Sequence, residues 1–338
     1  MSVLPTNFRA QAETRVSRFK TLSRAALCGL VLFAAGLQSA EAATKIRLGV
    51  LGGNPVAALL AYDRGYFKDN GLEIELVQLS SGPAAIAATT SGSVDISFGD
   101  LFAWVAGLSN GFRNVKLVAP AGTPSYGSLL VSNESGIKKP ADLAGKRIGA
   151  PGAPLFSTVN KLWLANNGVD SSSIKFVIIP PGGEGPALTS RSVDAVYAYN
   201  DLVALSVQAT LPSLAIGVPT NEIPAGATAT GYYGNTAFIS AQPKAVEAFV
   251  AALRKGAKEY LALPDRNKAE LFTKYNSLEL PALLAKYHNF FEEFHPTPVQ
   301  TGGIDVGATQ KWVELGFKYG AFPKPVDIAP YIHVTATR

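Results

Sequence analysis

The chain has 338 residues, 47% hydrophobic and 16% charged, which excludes intrinsic disorder and suffices for one large or two medium domains. Its formal net charge of +5 belongs largely to the first 42 residues: without the five basic and two acidic residues there, 25 Lys and Arg face 23 Asp and Glu, a net +2 with no basic face for nucleic acid. The single cysteine, Cys28, lies in that leader, so no disulfide, thiolate nucleophile or cysteine metal site is expected beyond it.

In the leader, Arg9, Arg15, Arg18, Lys20 and Arg24 precede an apolar run from Ala25 to Leu37, and Ala40-Glu41-Ala42 supplies small residues. This predicts a secretory signal cleaved after Ala42, with an uncut N-terminal anchor as the alternative; no later stretch is apolar for long enough to span a bilayer. Lys45 to Leu51 reads as a strand, and Gly52-Gly53-Asn54-Pro55 as a turn opening a helix at proline. The helix runs toward Gly71, a C-cap stop, and Glu73 to Leu79 alternates like a half-exposed strand. Ser80-Ser81-Gly82-Pro83 starts a small-residue helix, followed by a strand at Val94 to Phe98, a helix at Leu101 to Leu108 and a strand at Val115 to Ala119. That rhythm predicts a parallel sheet with helices on both faces.

The Gly, Pro, Ser and Tyr of residues 120–127 read as a first crossing into a second lobe, entered by the strand Ser128 to Val131. There the rhythm restarts: a strand at Arg147 to Ala150, a helix from about Phe156 to Asn167, and strands at Ile174 to Ile179 and Val193 to Tyr197. Gly226 to Gly234 reads as the return crossing, leading into Thr236 to Ser240. From Pro243 the chain is helical, with Val246, Phe249, Val250, Leu253 and Tyr260 on one face, and these helices are expected on the first lobe. The core of Ser93-Val94-Asp95 returns 99 residues later as Ser192-Val193-Asp194, each time after a small-residue helix candidate and before a short apolar run. The expected fold is therefore α/β: two doubly wound sheets joined by two crossing segments. The segments are a signal peptide at 1–42, the first part of lobe one at 43–125, lobe two at 126–230, and a return to lobe one with C-terminal helices at 231–338.

Four collinear stretches carry a family resemblance: Arg64-Gly65-Tyr66-Phe67-Lys68-Asp69-Asn70-Gly71-Leu72; Ser91-Gly92-Ser93-Val94-Asp95; Ile137-Lys138-Lys139-Pro140-Ala141-Asp142-Leu143-Ala144-Gly145-Lys146-Arg147-Ile148-Gly149; and Ser192-Val193-Asp194-Ala195. The chain resembles the periplasmic substrate-binding proteins of ABC importers, in the NMT1/THI5-like group serving nitrate, sulfonate, taurine and thiamine-pyrimidine precursors. The resemblance implies a two-lobed periplasmic-binding-protein fold of type II and a monomer in the periplasm. It also implies a non-enzymatic receptor that needs no cofactor and hands a small solute to an inner-membrane ABC permease with a cytoplasmic ATPase.

Ligands of open α/β sheets sit beyond the C-terminal ends of the strands, which selects the loops holding Asn54; Ser80, Ser81 and Gly82; Gly99 and Asp100; Tyr126; Gly152, Phe156, Ser157 and Thr158; Gly183 and Glu184; and Tyr199, Asn200 and Asp201. Helices opening at about Pro83, Phe156 and Gly185 would aim N–H groups at a carboxylate, sulfonate or nitrate. The hydroxyls of Ser80, Ser81, Ser157 and Thr158 would add donors or cap their helices. Asp100, Asp201 and Glu184 would hold a cationic or NH-bearing end, or act as caps. Tyr126, Phe156 and Tyr199 would cover an aromatic body, or pack. The cargo is thus a small organic anion or zwitterion, with an aromatic acid or a pyrimidine- or flavin-type heterocycle as the alternative. A ligand sensor or an enzyme on the same fold is the reading from another class. His288 and His295 could share a helix face, but no HExxH spacing is present and surface or packing roles are expected instead of a metal site.

Overall fold

The computed structural model describes residues 43–52, 54–122, 127–180, 182–288 and 290–337; the leader and Tyr126 lie outside them. The chain first lays down β1 (Thr44–Val50), α1 (Val56–Asp63), α2 (Tyr66–Asp69), β2 (Leu72–Gln78), α3 (Gly82–Ser91), β3 (Ile96–Asp100), α4 (Leu101–Ser109) and β4 (Val115–Gly122). A second series follows: β5 (Ser128–Ser132), β6 (Arg147–Ala150), α5 (Pro154–Asn166), β7 (Lys175–Ile178), α6 (Glu184–Thr189), β8 (Ala195–Ala198), α7 (Asp201–Thr210) and β9 (Ser213–Gly217). The last part is β10 (Thr230–Asn235), then α8 (Thr236–Ala241), α9 (Pro243–Ala262), α10 (Asp265–Tyr275), α11 (Leu280–Lys286), α12 (Phe290–Glu293) and α13 (Val306–Lys318).

Two five-stranded sheets result, ordered β2-β1-β3-β10-β4 and β7-β6-β8-β5-β9. The expectation of an uninterrupted parallel first sheet is corrected: β10 lies between β3 and β4 and is antiparallel to both. The second sheet repeats the device, with β5 antiparallel between β8 and β9. Topology is the cause. The parallel strands all end at the face between the sheets, so a chain that crosses from one sheet enters the other at that face and must run the opposite way.

The sequence repeat has a physical basis in each sheet. Arg47 donates from Nε to Asp95 Oδ2 at 3.1 Å and from its terminal nitrogen to Asp95 Oδ1 at 2.6 Å and to the Gly92 carbonyl at 2.8 Å. Arg147 makes the same set with Asp194 Oδ2 at 3.0 Å, Asp194 Oδ1 at 2.9 Å and the Arg191 carbonyl at 2.8 Å. Each bidentate pair ties the turn before β3 or β8 to the neighbouring strand. That turn needs a left-handed residue: Gly92 has φ +76°, but its counterpart Arg191 has φ +56°. A side chain there costs about 1–2 kcal/mol, and glycine gives back about 0.5–1 in unfolded-state freedom, so Arg191→Gly should raise stability by about 0.5–1 kcal/mol in a urea titration. A loss of stability would show that the Arg191 side chain contributes more than its exposed contact suggests.

The Arg64-to-Leu72 motif is also structural. Phe67 stacks on Phe249 of α9 at 5.2 Å, while Arg64 and the Tyr66 hydroxyl both bond Glu259 on the same helix. Val246, Phe249, Val250, Leu253 and Tyr260 are all buried with β1 and α1. So α9 covers sheet one as expected. α8 and α10 join it there, through Ile239 and Leu271 in the same core and Lys274 on Asp63 of α1, but α11 and α12 pack on Leu202 and Leu205 of α7, and α13 wedges between α4 and α5, where Trp312 stacks on Phe102 at 4.8 Å. Apolar area outweighs chain order here. The α13 core runs unbroken from α4 and β4 through Trp312 to Leu155, Val159 and Trp163 of α5, so Ala43–Arg338 forms one compact body.

Candidate functional site between the two sheets

The strand ends and helix starts of both sheets enclose a cavity of about 660 Å³. From sheet one it is lined by Asn54 to Ala57, Leu79 to Pro83, Phe98, Asp100, Ala121, Thr230 and Tyr232; from sheet two by Pro151 to Ala153, Leu155, Phe156, Tyr199 and Asn200. Asn276 and Thr297-Pro298-Val299, from the C-terminal segment, close it further.

Each helix start treats its free N–H groups differently. Ser81 caps α3, accepting from Ala84 N–H at 3.3 Å; Asp100 caps α4, accepting from Ala103 N–H at 2.7 Å; Asn200 caps α7, accepting from Val203 N–H at 3.0 Å. α1 begins after Pro55 and α5 after Ala153, and neither has a side-chain cap or an acid in its first turn. These two ends line the cavity from opposite sheets and carry partial positive charge. In α1 the Val56 N–H goes to the Asn54 carbonyl and the Ala58 N–H to the Tyr232 hydroxyl, and in α5 the Phe156 N–H goes to the Ala153 carbonyl, so Ala57 and Leu155 hold the first-turn N–H groups open to an anion.

Aromatic rings supply much of the wall. Phe98 and Tyr232 meet edge to face at 5.6 Å on sheet one, and Phe156 stacks on Tyr199 at 5.5 Å on sheet two. The Tyr232 hydroxyl accepts the Ala58 N–H, and burial pushes its pKa up. Burial and then the Glu184 charge do the same to Tyr199. Among the described residues, no Lys, Arg or His lines the cavity. Asp100 is the one carboxylate among the described lining residues; desolvation raises its pKa against the pull of N–H groups from Ala103, its own residue and Phe102. An added Cβ on Gly82 would stand 1.9 Å from Asp100 Oδ2, so any side chain there would push the Asp100 carboxylate from its place.

Of the residues selected from sequence, Asn54, Ser80, Ser81, Gly82, Asp100, Gly152, Phe156, Tyr199 and Asn200 line the cavity. Tyr126 lies outside the described residues. The others lie elsewhere. Ser157 and Thr158 both donate back to the Pro154 carbonyl, at 3.0 and 2.9 Å, because a hydroxyl inside a helix finds the preceding turn first. Gly99 sits within the ladder opposite Gly231. Gly183 and Glu184 lie off the cavity, with Glu184 only 1% exposed. Asp201 neither lines the cavity nor caps α7; it accepts the backbone N–H of His295 and faces that ring's Nδ1 at 3.3 Å. The sequence reading missed Phe98, Thr230, Tyr232, Asn276 and Thr297 to Val299.

Glu184 carries a testable cost. Its Oε2 accepts the Gly182 N–H at 2.8 Å, its Oε1 is buried without a partner, and burial raises its pKa. A raised folded-state value favours the folded protein below the usual carboxylate range and loses that advantage as pH climbs through it. Glu184→Gln should therefore stabilise by about 1–3 kcal/mol near pH 8 and by little near pH 4, read from melts at both values. An equal effect at both would place the carboxyl in a solvated setting.

A family model described as NMT1/THI5-like matches residues 54–267. The chain belongs to the NMT1/THI5-like family. A protein of Brucella abortus named as a binding protein is 20% identical over 209 residues, 62% of this chain and 64% of that protein, so this NMT1/THI5-like chain spans a little under two thirds of that relative. Among solved structures, the periplasmic aliphatic sulphonate binding protein SsuA of Escherichia coli matches at TM-score 0.71 and 17% identity, covering 87% of this chain and 93% of that one. The alkanesulfonate-binding SsuA of Xanthomonas axonopodis pv. citri, bound to MOPS, matches at TM-score 0.67 and 18% identity, covering 86% and 98%. At such identities the likeness is one of fold: this NMT1/THI5-like chain has the two-sheet periplasmic-binding-protein architecture. No helix among the described residues is long and apolar enough to cross a membrane.

Proposed function

We propose that this chain is an extracytoplasmic solute receptor of an ABC importer. It binds one small organic anion between its sheets and delivers it to an inner-membrane permease driven by a cytoplasmic ATPase. The observation that carries the reading is the pair of acid-free helix starts without an N-cap side chain, α1 and α5, on opposite walls of an otherwise largely apolar cavity. Such ends favour an anion by about 0.3–1 kcal/mol each when exposed and up to ~2 when partly buried. With no cationic side chain among the described lining residues, that suits a monoanion.

The body of the ligand follows from the remaining wall. Nitrate would leave most of about 660 Å³ unfilled. Rings on both walls, Phe98 with Tyr232 and Phe156 with Tyr199, favour an aromatic sulfonate or carboxylate. Binding both sheets stabilises the closed arrangement by the ligand's differential affinity for it.

A thermal-shift panel of alkanesulfonates, aryl sulfonates, aromatic carboxylates, taurine and nitrate tests this, since a ligand at ~100 times its dissociation constant adds about 2.7 kcal/mol. Aryl monoanions should give the largest shift and nitrate none. A panel without any shift from an organic anion would sink the reading.

A further inference from the structure

Between α10 and α13 the chain leaves sheet one, reaches sheet two and returns. At the departure, Lys274 and the Tyr275 hydroxyl of α10 bind Asp63 of α1 at 2.8 and 2.6 Å. At the far side, Leu280, Tyr287 and Phe290 bury themselves on Leu205 of α7, and the backbone and ring of His295 close on Asp201 at the start of that helix. On the way back, Thr297, Pro298 and Val299 line the cavity, and Gln300 donates its N–H to the Ala121 carbonyl of β4 at 2.9 Å. Tyr260 of α9 bonds Thr297.

We propose that residues 276–288 and 290–300 form a strap that gates the cavity, with Asp201 as its positioning residue. The segment is a third link between the sheets, and it lies at the cavity, whereas the α13 seam joins the sheets through the core around Trp312. A solute that enters or leaves must pass the strap or wait for it to part from α7. Asp201 is sequence-adjacent to the cavity-lining Asn200 but faces the strap, with its side chain only 12% exposed against 51% for His295. Its carboxylate is an acceptor shared by the two His295 donors, so it sets where the next residues, Pro296 to Val299, stand as wall. The functional consequence rests on the cavity being the solute site; the gate itself does not need a ligand to be detected.

The test reads access directly. In a Cys28→Ser background the chain has no other cysteine, and Ala57→Cys places one thiol on the cavity wall at a position only 7% exposed. Adding Asp201→Ala should speed labelling of that thiol by 5,5′-dithiobis(2-nitrobenzoate) about tenfold or more, and should speed amide exchange over 295–300 by a similar factor while leaving Val246 to Tyr260 unchanged. Unchanged labelling would overturn the gate, and unchanged exchange would overturn the role of Asp201. If Asp201→Ala proves unstable, His295→Ala removes the ring partner alone and should give a smaller acceleration of both. If no organic anion binds the parent protein, the solute reading fails while these two rates still decide the gate.

Discussion

An Ala153→Asp protein is expected to melt higher than its parent and to lose its anion. Ala153 is the N-cap of α5 with φ −85° and ψ 135°, the extended geometry that an aspartate cap adopts, and no side chain caps that helix now. An aspartate there should accept an N–H of the first turn and add about 0.5–2 kcal/mol of stability. The same carboxylate would occupy the donors that the anion needs and place a like charge beside it. At about 4 Å and an effective dielectric of about 20 that repulsion is about 4 kcal/mol, so affinity should fall by at least a hundredfold. Ala153→Asn separates the two effects, because it caps without charge and should cost binding much less. Calorimetric melts and titrations of the three proteins check this; an Asp variant that binds as tightly as the parent would move the anion away from α5.

Trp312→Ala carries the largest expected loss of stability. The indole is fully buried, stacks on Phe102 at 4.8 Å, and its Nε1 has no hydrogen-bond partner, so the cost is one of lost packing and the cavity left behind. Such truncations cost about 3–5 kcal/mol, or roughly 6–10 °C in melting temperature for a body of this size. Trp312→Phe should recover more than half. Because α13 packs on both α4 and α5, the alanine variant should melt in one transition at lower temperature. Two separated transitions would mean that the Trp312 packing alone couples the unfolding of the two sheets.

Much of the fold was readable because its signals are local. Alternation over Leu72–Gln78, the proline at the start of α3 and the stripe of Val246, Phe249, Val250 and Leu253 each report on a few neighbouring residues. The repeated Ser-Val-Asp was readable too, though not its reason, since Arg47 and Arg147 lie 48 and 47 residues from their partners. The direction of β5 and β10 was not: an apolar strand reads the same parallel or antiparallel. At the site, the loops after β1, β2, β3 and β6 and the Tyr199–Asn200 turn were found from the rule of strand ends, with most of their lining residues.

The failures there have particular causes. Ser157 and Thr158 looked like donors to a ligand, yet each lies within a helix whose Pro154 carbonyl is nearer. Asp201 looked like a ligand acid or a cap, yet Asn200 took the cap and His295, 94 residues on, took the carboxylate. Thr297 to Val299 have no periodicity to mark them as wall; the prolines at 296 and 298 signal only an extended segment.

Isothermal titration of the purified protein with an aryl monosulfonate tests the central claim most directly. One anion per chain, micromolar or tighter at about −8 kcal/mol, with a negative heat-capacity change from burial of the ring and no competition by nitrate, is the expected result. The absence of saturable heat from aryl sulfonates and aromatic carboxylates alike, or binding that survives unchanged in Ala153→Asp, would contradict an organic-anion site between the two sheets.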